Sequence, residues 1–479
     1  MLSNPSLALA STPRRRRLSV PTRQALLDLA LRASDVAAIS ATAALAAGWP
    51  STGTEVPIIG LTVLACFLAG QIFTSFDLYA LRHRIAGFPA VRLILGWSIA
   101  LLGTLAFAGL TGLLDGIDIQ RWGLRWFLGG AALLAAVRLI WVAALSRAEA
   151  GQAMIRRVAV IGTAESLAST LALLGRSPKA GMEVVTAIEV GADWSASVLR
   201  PEVLADLEER ITAGSIERVL IALPEASAHA FDQVVRALEH LPVDIDWVPQ
   251  MPNRGEPPRL GRGGAPISTL PLQRRPIDGI HYVVKTIEDR VLGGAALLFL
   301  APLMLLLALA VKLTSKGPIF YRQLRHGFNH ELISVLKFRT MYVQSCDAAA
   351  STSIRQATRG DPRVTPLGRF LRRTSLDELP QLINVLRGDM SLVGPRPHPL
   401  ALNQHYLARI DGYLGRHRVK PGITGWAQIN GCRGETVDDD AMARRIAYDL
   451  HYIESWSLFF DLHILWLTLL RGFVNTNAY

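Results

Sequence analysis

Four apolar stretches in the first 150 residues constrain this chain more than any other feature. Residues 56–76 and 93–114 carry no charge, residues 126–146 carry only Arg138, and a weaker run at 33–49 has Asp35 near its start. The three longer runs each reach the ~20 residues that cross ~30 Å of hydrocarbon at ~1.5 Å per residue. A secretory signal would put one short apolar stretch and a cleavage site behind the basic cluster PRRRR at 13–17; four runs follow instead. Basic residues gather before the first run (Arg14 to Arg17, Arg23, Arg32), between the second and third (Arg82, Arg84, Arg92) and after the fourth (Arg147, Arg156, Arg157). The preference of Lys and Arg for the cytoplasmic side makes residues 1–150 a four-helix transmembrane bundle with both ends in the cytoplasm. Arg138 lies in the half of its run nearer the following basic segment, so its head is expected to snorkel to the interface.

Beyond residue 150 the pattern changes to strands alternating with helices. RRVAVIG (156–162), MEVVTAIEV (182–190), IERVLIALP (216–224) and VDIDWVP (243–249) read as buried strands, with helices following the first strand to Leu174 and near 201–213 and 226–240. That alternation predicts an α/β, Rossmann-like cytosolic domain over 151–250 with a mainly parallel sheet. Its first turn is GTAES rather than GxGxxG, which gives little support to a dinucleotide site. Residues 251–279, dense in Pro, Gly and Arg, have linker chemistry.

A fifth uncharged run occupies 291–311, with Pro302 at its middle. Its flanks are both basic, Lys285 and Arg290 before and Lys312 and Lys316 after, so charge bias gives no direction of crossing. Proline removes a helix hydrogen bond and kinks the axis. A plain fifth span and a helix bent at Pro302 that enters and leaves on one side stand level on local physics.

Half of the residues are hydrophobic and only 19% charged, yet the formal net charge is +11. Much of the excess falls beyond 311, around the segment TSLDELPQLIN at 374–384. Nucleic acid is excluded as a partner: few aromatics interleave with the basic residues, no nucleic-acid-binding pattern is present, and the chain is membrane-embedded. An anionic lipid surface accounts for most of these cations. Lys337 and Arg339 alternate in VLKFRTM and so share one face of a strand, and Arg396 sits between Pro395 and Pro397.

Asp377 and Glu378 are adjacent in this basic context. One explanation is local: Ser375-x-x-Glu378 fits a capping box, and acids are favoured at a helix start. The other is chemical. A pyrophosphate substrate repels an attacking carboxylate until cations neutralise it. Asp377 as nucleophile, Glu378 as a Mg²⁺ ligand, and Arg372, Arg396 and Lys337 on the phosphates make a consistent set for phosphoryl transfer. Gln381 and Lys420 complete the candidates for substrate binding.

KGPIFYRQLRHG (316–327), LKFRTM (336–341), RRTSLDELPQLINVLRGDMSLVGPRP (372–397) and VKPGITGWAQING (419–431) together resemble the bacterial sugar transferases, the monotopic phosphoglycosyl transferases. The resemblance implies a mainly α catalytic domain over 280–479, in the inner membrane of a bacterium and facing the cytoplasm, with 291–311 as a re-entrant helix kinked at Pro302. It implies that Asp377 attacks the β-phosphate of a UDP-sugar, that Glu378 binds Mg²⁺, and that Lys337, Arg339, Arg372 and Arg396 hold phosphate. Undecaprenyl phosphate would accept the sugar phosphate, with release of UMP. The tail from Tyr448 points to glucose within the family, with galactose the nearest rival. Ala301 stands where serine is common in the family, and GTAES leaves the ligand of the α/β domain, nucleotide or CoA, unassigned. A homodimer stays open. A membrane-anchored nucleotide-sugar dehydratase lacks its Tyr-x-x-x-Lys pair here, and a non-catalytic assembly scaffold is a third reading. The stretch 462–470 is too short to span and is expected to lie in the interface, with Trp456 and Trp466 near the headgroups.

Overall fold

The computed structural model describes residues 19–47, 55–79, 90–113, 119–149, 155–176, 182–190, 199–223, 228–239, 241, 243–249, 269–343, 361–406, 409–410, 412–432 and 439–471. Val20–Ile155 forms one compact unit and Arg156–Tyr479 belongs to a second.

In the first unit, the described residues form four long helices: α1 (Val20–Ala47), α2 (Glu55–Ser75), α3 (Ala90–Leu110) and α4 (Ile119–Glu149). Each is long and apolar enough to cross a bilayer. Helix α1 packs on α4 and α2, and α3 on α2 and α4. Trp97 and Trp126 meet edge to face at 5.8 Å in the centre. Gly130 makes room for them, since a Cβ there would lie 2.7 Å from the Trp97 ring.

Arg138 does not snorkel. It is buried, with Nη2 2.6 Å from Asp35 Oδ2, and Tyr79 Oη donates to the same oxygen at 2.9 Å. An opposite charge within reach on α1 outweighs extension to the interface, because an unpaired ion in apolar surroundings is far costlier than a paired one. The pair joins the first and last helices of the unit. Arg138→Leu is expected to lower the thermal midpoint of the detergent-solubilised protein by the equivalent of about 1–3 kcal/mol. The double replacement Asp35→Leu/Arg138→Leu should recover at least half of that loss; an equal loss in both would contradict the pairing.

The second unit opens with a five-stranded sheet of order β2-β1-β3-β4-β5: β1 (Arg156–Gly162), β2 (Met182–Glu189), β3 (Arg218–Ala222), β4 (Asp244–Trp247) and β5 (Leu270–Gln273). The first four are parallel and β5 is antiparallel to β4. The period-2 alternation of β1 explains its two covered faces. Val158 and Val160 pack with α5 (Ala164–Arg176), and Ala159 and Ile161 pack with α6 (Pro201–Thr212) and α7 (Ala228–Leu238). Strand β5 falls inside the segment expected to be linker. Gln273 Nε2 donates to Leu241 O at 2.9 Å, Arg274 pairs with Asp246 at 2.8 Å, and the Arg275 N–H reaches Asp244 at 2.9 Å. These polar anchors hold a segment whose composition alone reads as loose; residues 251–268 lie outside the described residues.

Helix α8 (Ile280–Thr314) begins the rest of the unit. It stays helical through Pro302, so the proline removes a hydrogen bond without ending the helix. Its polar start is buried in an ion group. Lys285 lies 2.6 Å from Asp461 and 3.1 Å from Asp289, while Asp289 accepts from Ser391 Oγ and the Leu392 N–H, both at 2.9 Å. The antiparallel hairpin β6 (Phe320–His326) and β7 (Leu332–Phe338) follows, then α9 (Pro366–Thr374), α10 (Gln381–Arg387), and the parallel pair β8 (Ser391–Val393) and β9 (Gly422–Thr424). Helices α11 (Leu400–Tyr406), α12 (Trp426–Ile429), α13 (Asp439–Glu454) and α14 (Leu458–Arg471) complete the described elements. Helix α14 exposes Phe459, Leu462, Trp466 and Leu469, as an interfacial helix would. Trp456 departs from expectation: its Nε1 donates to Asp461 at 3.0 Å, tying the ring to the ion group rather than leaving it for a headgroup.

Candidate active site

The acidic pair is presented by a sharp reversal. Thr365 caps α9, its hydroxyl accepting from the Gly368 N–H at 2.9 Å, with Pro366 in the first turn. The helix ends at Ser375, which is left-handed at φ 57°, ψ 17°, a conformation that costs a non-glycine residue about 1 kcal/mol. One 3₁₀ turn, Leu376–Glu378, follows, and Pro380 leads into α10. Ser375 makes no side-chain cap, so the capping-box explanation of Glu378 fails.

Glu378 turns to cations instead. Its Oε1 accepts from Lys337 Nζ at 2.7 Å and from Arg396 Nη2 at 2.6 Å, and its Oε2 from Arg396 Nη1 at 3.0 Å. Lys337 reaches it from β7, and Arg396 from the turn after β8. Burial works against its charge, but the attraction of Arg396 and Lys337 wins and holds the carboxyl well below the usual range. Asp377 has the opposite surroundings. It is only 9% exposed, and none of the described residues donates a hydrogen bond to its carboxylate. Burial pushes it up to about 6, with Glu378 adding to the shift and Lys337, Arg372 and Arg396 opposing it. Two neighbouring carboxylates whose environments drive them apart are suited to two roles. Among the described residues, Glu378 is held by two cations and Asp377 is bonded to none.

Arg372 is held near Asp377 by its own Nε donating to Thr340 Oγ1 at 2.9 Å. Arg339 points elsewhere: its Nη2 donates to the Ser315 carbonyl and hydroxyl, both at 2.7 Å, at the end of α8. The shared face read from VLKFRTM ends with the strand at Phe338, so Lys337 reaches the acids and Arg339 does not. Gln381 is buried at the start of α10, Lys420 Nζ lies 5.7 Å from the Tyr282 ring centroid, and Pro302 is inside α8. Sequence reasoning passed over Arg325. Burial lowers it to about 10, with Arg396 next to it and Glu378 opposing, which puts it beside the clamp. Its only signal was membership of the basic stretch that includes RQLRHG.

The donor set bears on magnesium. Among the described residues no group of three or more His, Cys, Asp or Glu forms a cage. Yet Glu378 Oε2 takes only one hydrogen bond, which leaves it a lone pair. One carboxylate together with phosphate oxygens and water is a coordination Mg²⁺ accepts, so the residues fit the ion.

A family model described as a bacterial sugar transferase matches residues 280–475, and one described as a CoA-binding domain matches 74–249. The UDP-glucose:undecaprenyl-phosphate glucose-1-phosphate transferase of Xanthomonas campestris pv. campestris is 36% identical over 473 residues, 95% of each chain. The chain belongs to the bacterial sugar transferase family. Relatives of the same name are 39% identical in Klebsiella pneumoniae, over 81% of this chain and 83% of that one, and 42% identical in Escherichia coli K12, over 68% and 69%. Within this sugar transferase, Gly368 allows α9 to touch the strand end, because a Cβ there would lie 2.1 Å from Thr340 O. Gly368→Ala is therefore expected to push Arg372 off Thr340 and slow transfer by roughly tenfold or more, since small displacements beside a reacting centre are costly. Unchanged turnover would show that Arg372 need not sit where it does.

Proposed function

We propose that this chain transfers glucose-1-phosphate from UDP-glucose to undecaprenyl phosphate, releasing UMP, at the cytoplasmic face of a bacterial inner membrane. The observation that carries the mechanism is the split between Asp377, buried and unpaired, and Glu378, clamped by Lys337 and Arg396. An Asp377 oxygen attacks the β-phosphorus of UDP-glucose. The bond to the bridging oxygen breaks, and UMP leaves with that electron pair. An oxygen of undecaprenyl phosphate then attacks the same phosphorus and expels the Asp377 carboxylate. Lys337, Arg372, Arg396 and Arg325 outnumber the two acids around the site, and a diphosphate balances that surplus. Glu378 would hold Mg²⁺, which when bound neutralises further phosphate charge.

Packing along α8 supports the re-entrant arrangement. Leu292, Ala296, Leu297 and Leu300 pack on the core that contains Val385 and Leu392, while Met304, Leu307 and Val311, beyond Pro302, pack with Phe338 and Leu371. The opposite side of the helix exposes Leu298, Phe299, Leu305, Leu306 and Leu309. A helix that rests on the catalytic body over its whole apolar length lies along the membrane face of that body. A helix crossing the bilayer would leave the body after a turn or two. The basic residues at both ends agree with this, and it keeps Asp377 on the side where UDP-sugars are found.

UMP release measured over a panel of UDP-sugars, with undecaprenyl phosphate and Mg²⁺, tests the function. UDP-glucose should be preferred over UDP-galactose, and Asp377→Asn should abolish release. Full activity of Asp377→Asn would remove it as nucleophile, and a preference for UDP-galactose would overturn the sugar assignment.

A further inference from the structure

The Arg396 clamp depends on a turn that has almost no means of holding itself. Pro395 and Pro397 flank Arg396 and carry no N–H, so the segment can be fixed mainly through its carbonyls. Each of those three carbonyls is taken. The Gly422 N–H donates to Pro395 O at 2.9 Å, Arg416 Nη2 donates to Arg396 O at 2.6 Å, and Arg325 Nη1 donates to Pro397 O. Arg416 is buried on the 3₁₀ segment Tyr413–Arg418, outside all four motifs that carry the family resemblance. Its Nη2 also lies 2.8 Å from Asp449 Oδ2, on α13. Its Nη1 lies 2.9 Å from His398 Nε2, and His398 Nδ1 is 2.8 Å from Tyr413 Oη. Burial pushes the Asp449 carboxyl up, and the charges of Arg416 and Arg445 oppose that shift.

We infer that Arg416, anchored by Asp449, is a positioning residue: by holding the Arg396 carbonyl it aims the Arg396 guanidinium at Glu378 and at the substrate diphosphate. A guanidinium can donate to a carbonyl while its charge pairs with a carboxylate, because its N–H groups fan out in a plane and its charge is spread over it. An ammonium at the same place keeps the charge and loses that fan. The two-step contact, from Asp449 through Arg416 to the Arg396 backbone, extends the site to α13.

The inference rests on the transferase reading given above, and a double-mutant cycle on UMP release separates the two. If that reading is wrong, the unmodified protein releases no UMP from UDP-glucose. With turnover established, Arg416→Lys and Asp449→Asn are each compared in the native background and in Arg396→Ala. A displaced clamp is expected to cost on the order of 30-fold in the native background, and less than about threefold once Arg396 is gone, since nothing is then left to aim. Equal losses in both backgrounds, or no loss in the native one, would overturn the inference, because a general packing role acts regardless of residue 396. Failure of both variants to accumulate as folded protein would also count against it, marking the pair as a core element. If only one accumulates, that one decides by the same comparison.

Discussion

The site depends on one charge arrangement: a glutamate gripped from two directions by Lys337 and Arg396, beside an aspartate that none of the described residues grips. A buried carboxylate or cation without a partner is costly. Lys337, Arg372 and Arg396 around Asp377 offset part of the cost of its burial without bonding to it. That leaves a carboxylate able to form a bond to phosphorus, in a field already favourable to a dianionic substrate. Had Asp377 been clamped as Glu378 is, attack would first require breaking an ion pair.

The remaining structure serves to place those few atoms. The left-handed Ser375 and the proline after the 3₁₀ turn fix where the two acids emerge. The β6–β7 hairpin delivers Lys337, and the carbonyl-held turn after β8 delivers Arg396. The same strand, β8, is bonded to Asp289 at the start of α8, so the apolar helix and the turn that carries Arg396 are directly connected. A reaction between a water-soluble nucleotide sugar and a lipid phosphate is served by such a connection, because the site must stay at the depth where both substrates can reach it.

Much of this was legible in the residues. Uncharged runs gave the long apolar helices because apolar length is a strong and simple signal, and β1 to β4 followed from short apolar stretches alternating with helical periods. What failed did so where a distant partner decided the outcome. Arg138 was expected to reach for the interface, and Asp35, 103 positions away, holds it instead. Strand β5 looked like linker because its anchors, Asp244 and Asp246, lie on another element. The Ser375 capping box was a sound local pattern defeated by backbone conformation. In the site, the motifs pointed to Lys337, Arg339 and Arg396; Lys337 and Arg396 meet at Glu378, while Arg339, one residue past the strand end, turns to Ser315. Arg416 carried no local signal, since a carbonyl 20 positions away defines its work.

The division of labour between the two acids is open to direct measurement. The protein is incubated with UDP-glucose in the absence of lipid acceptor, digested, and the peptide spanning 374–384 is sequenced by mass spectrometry. The account predicts a hexose-phosphate adduct on Asp377, discharged when undecaprenyl phosphate is added. An adduct on Glu378, or UMP release with no adduct on either acid, would contradict it.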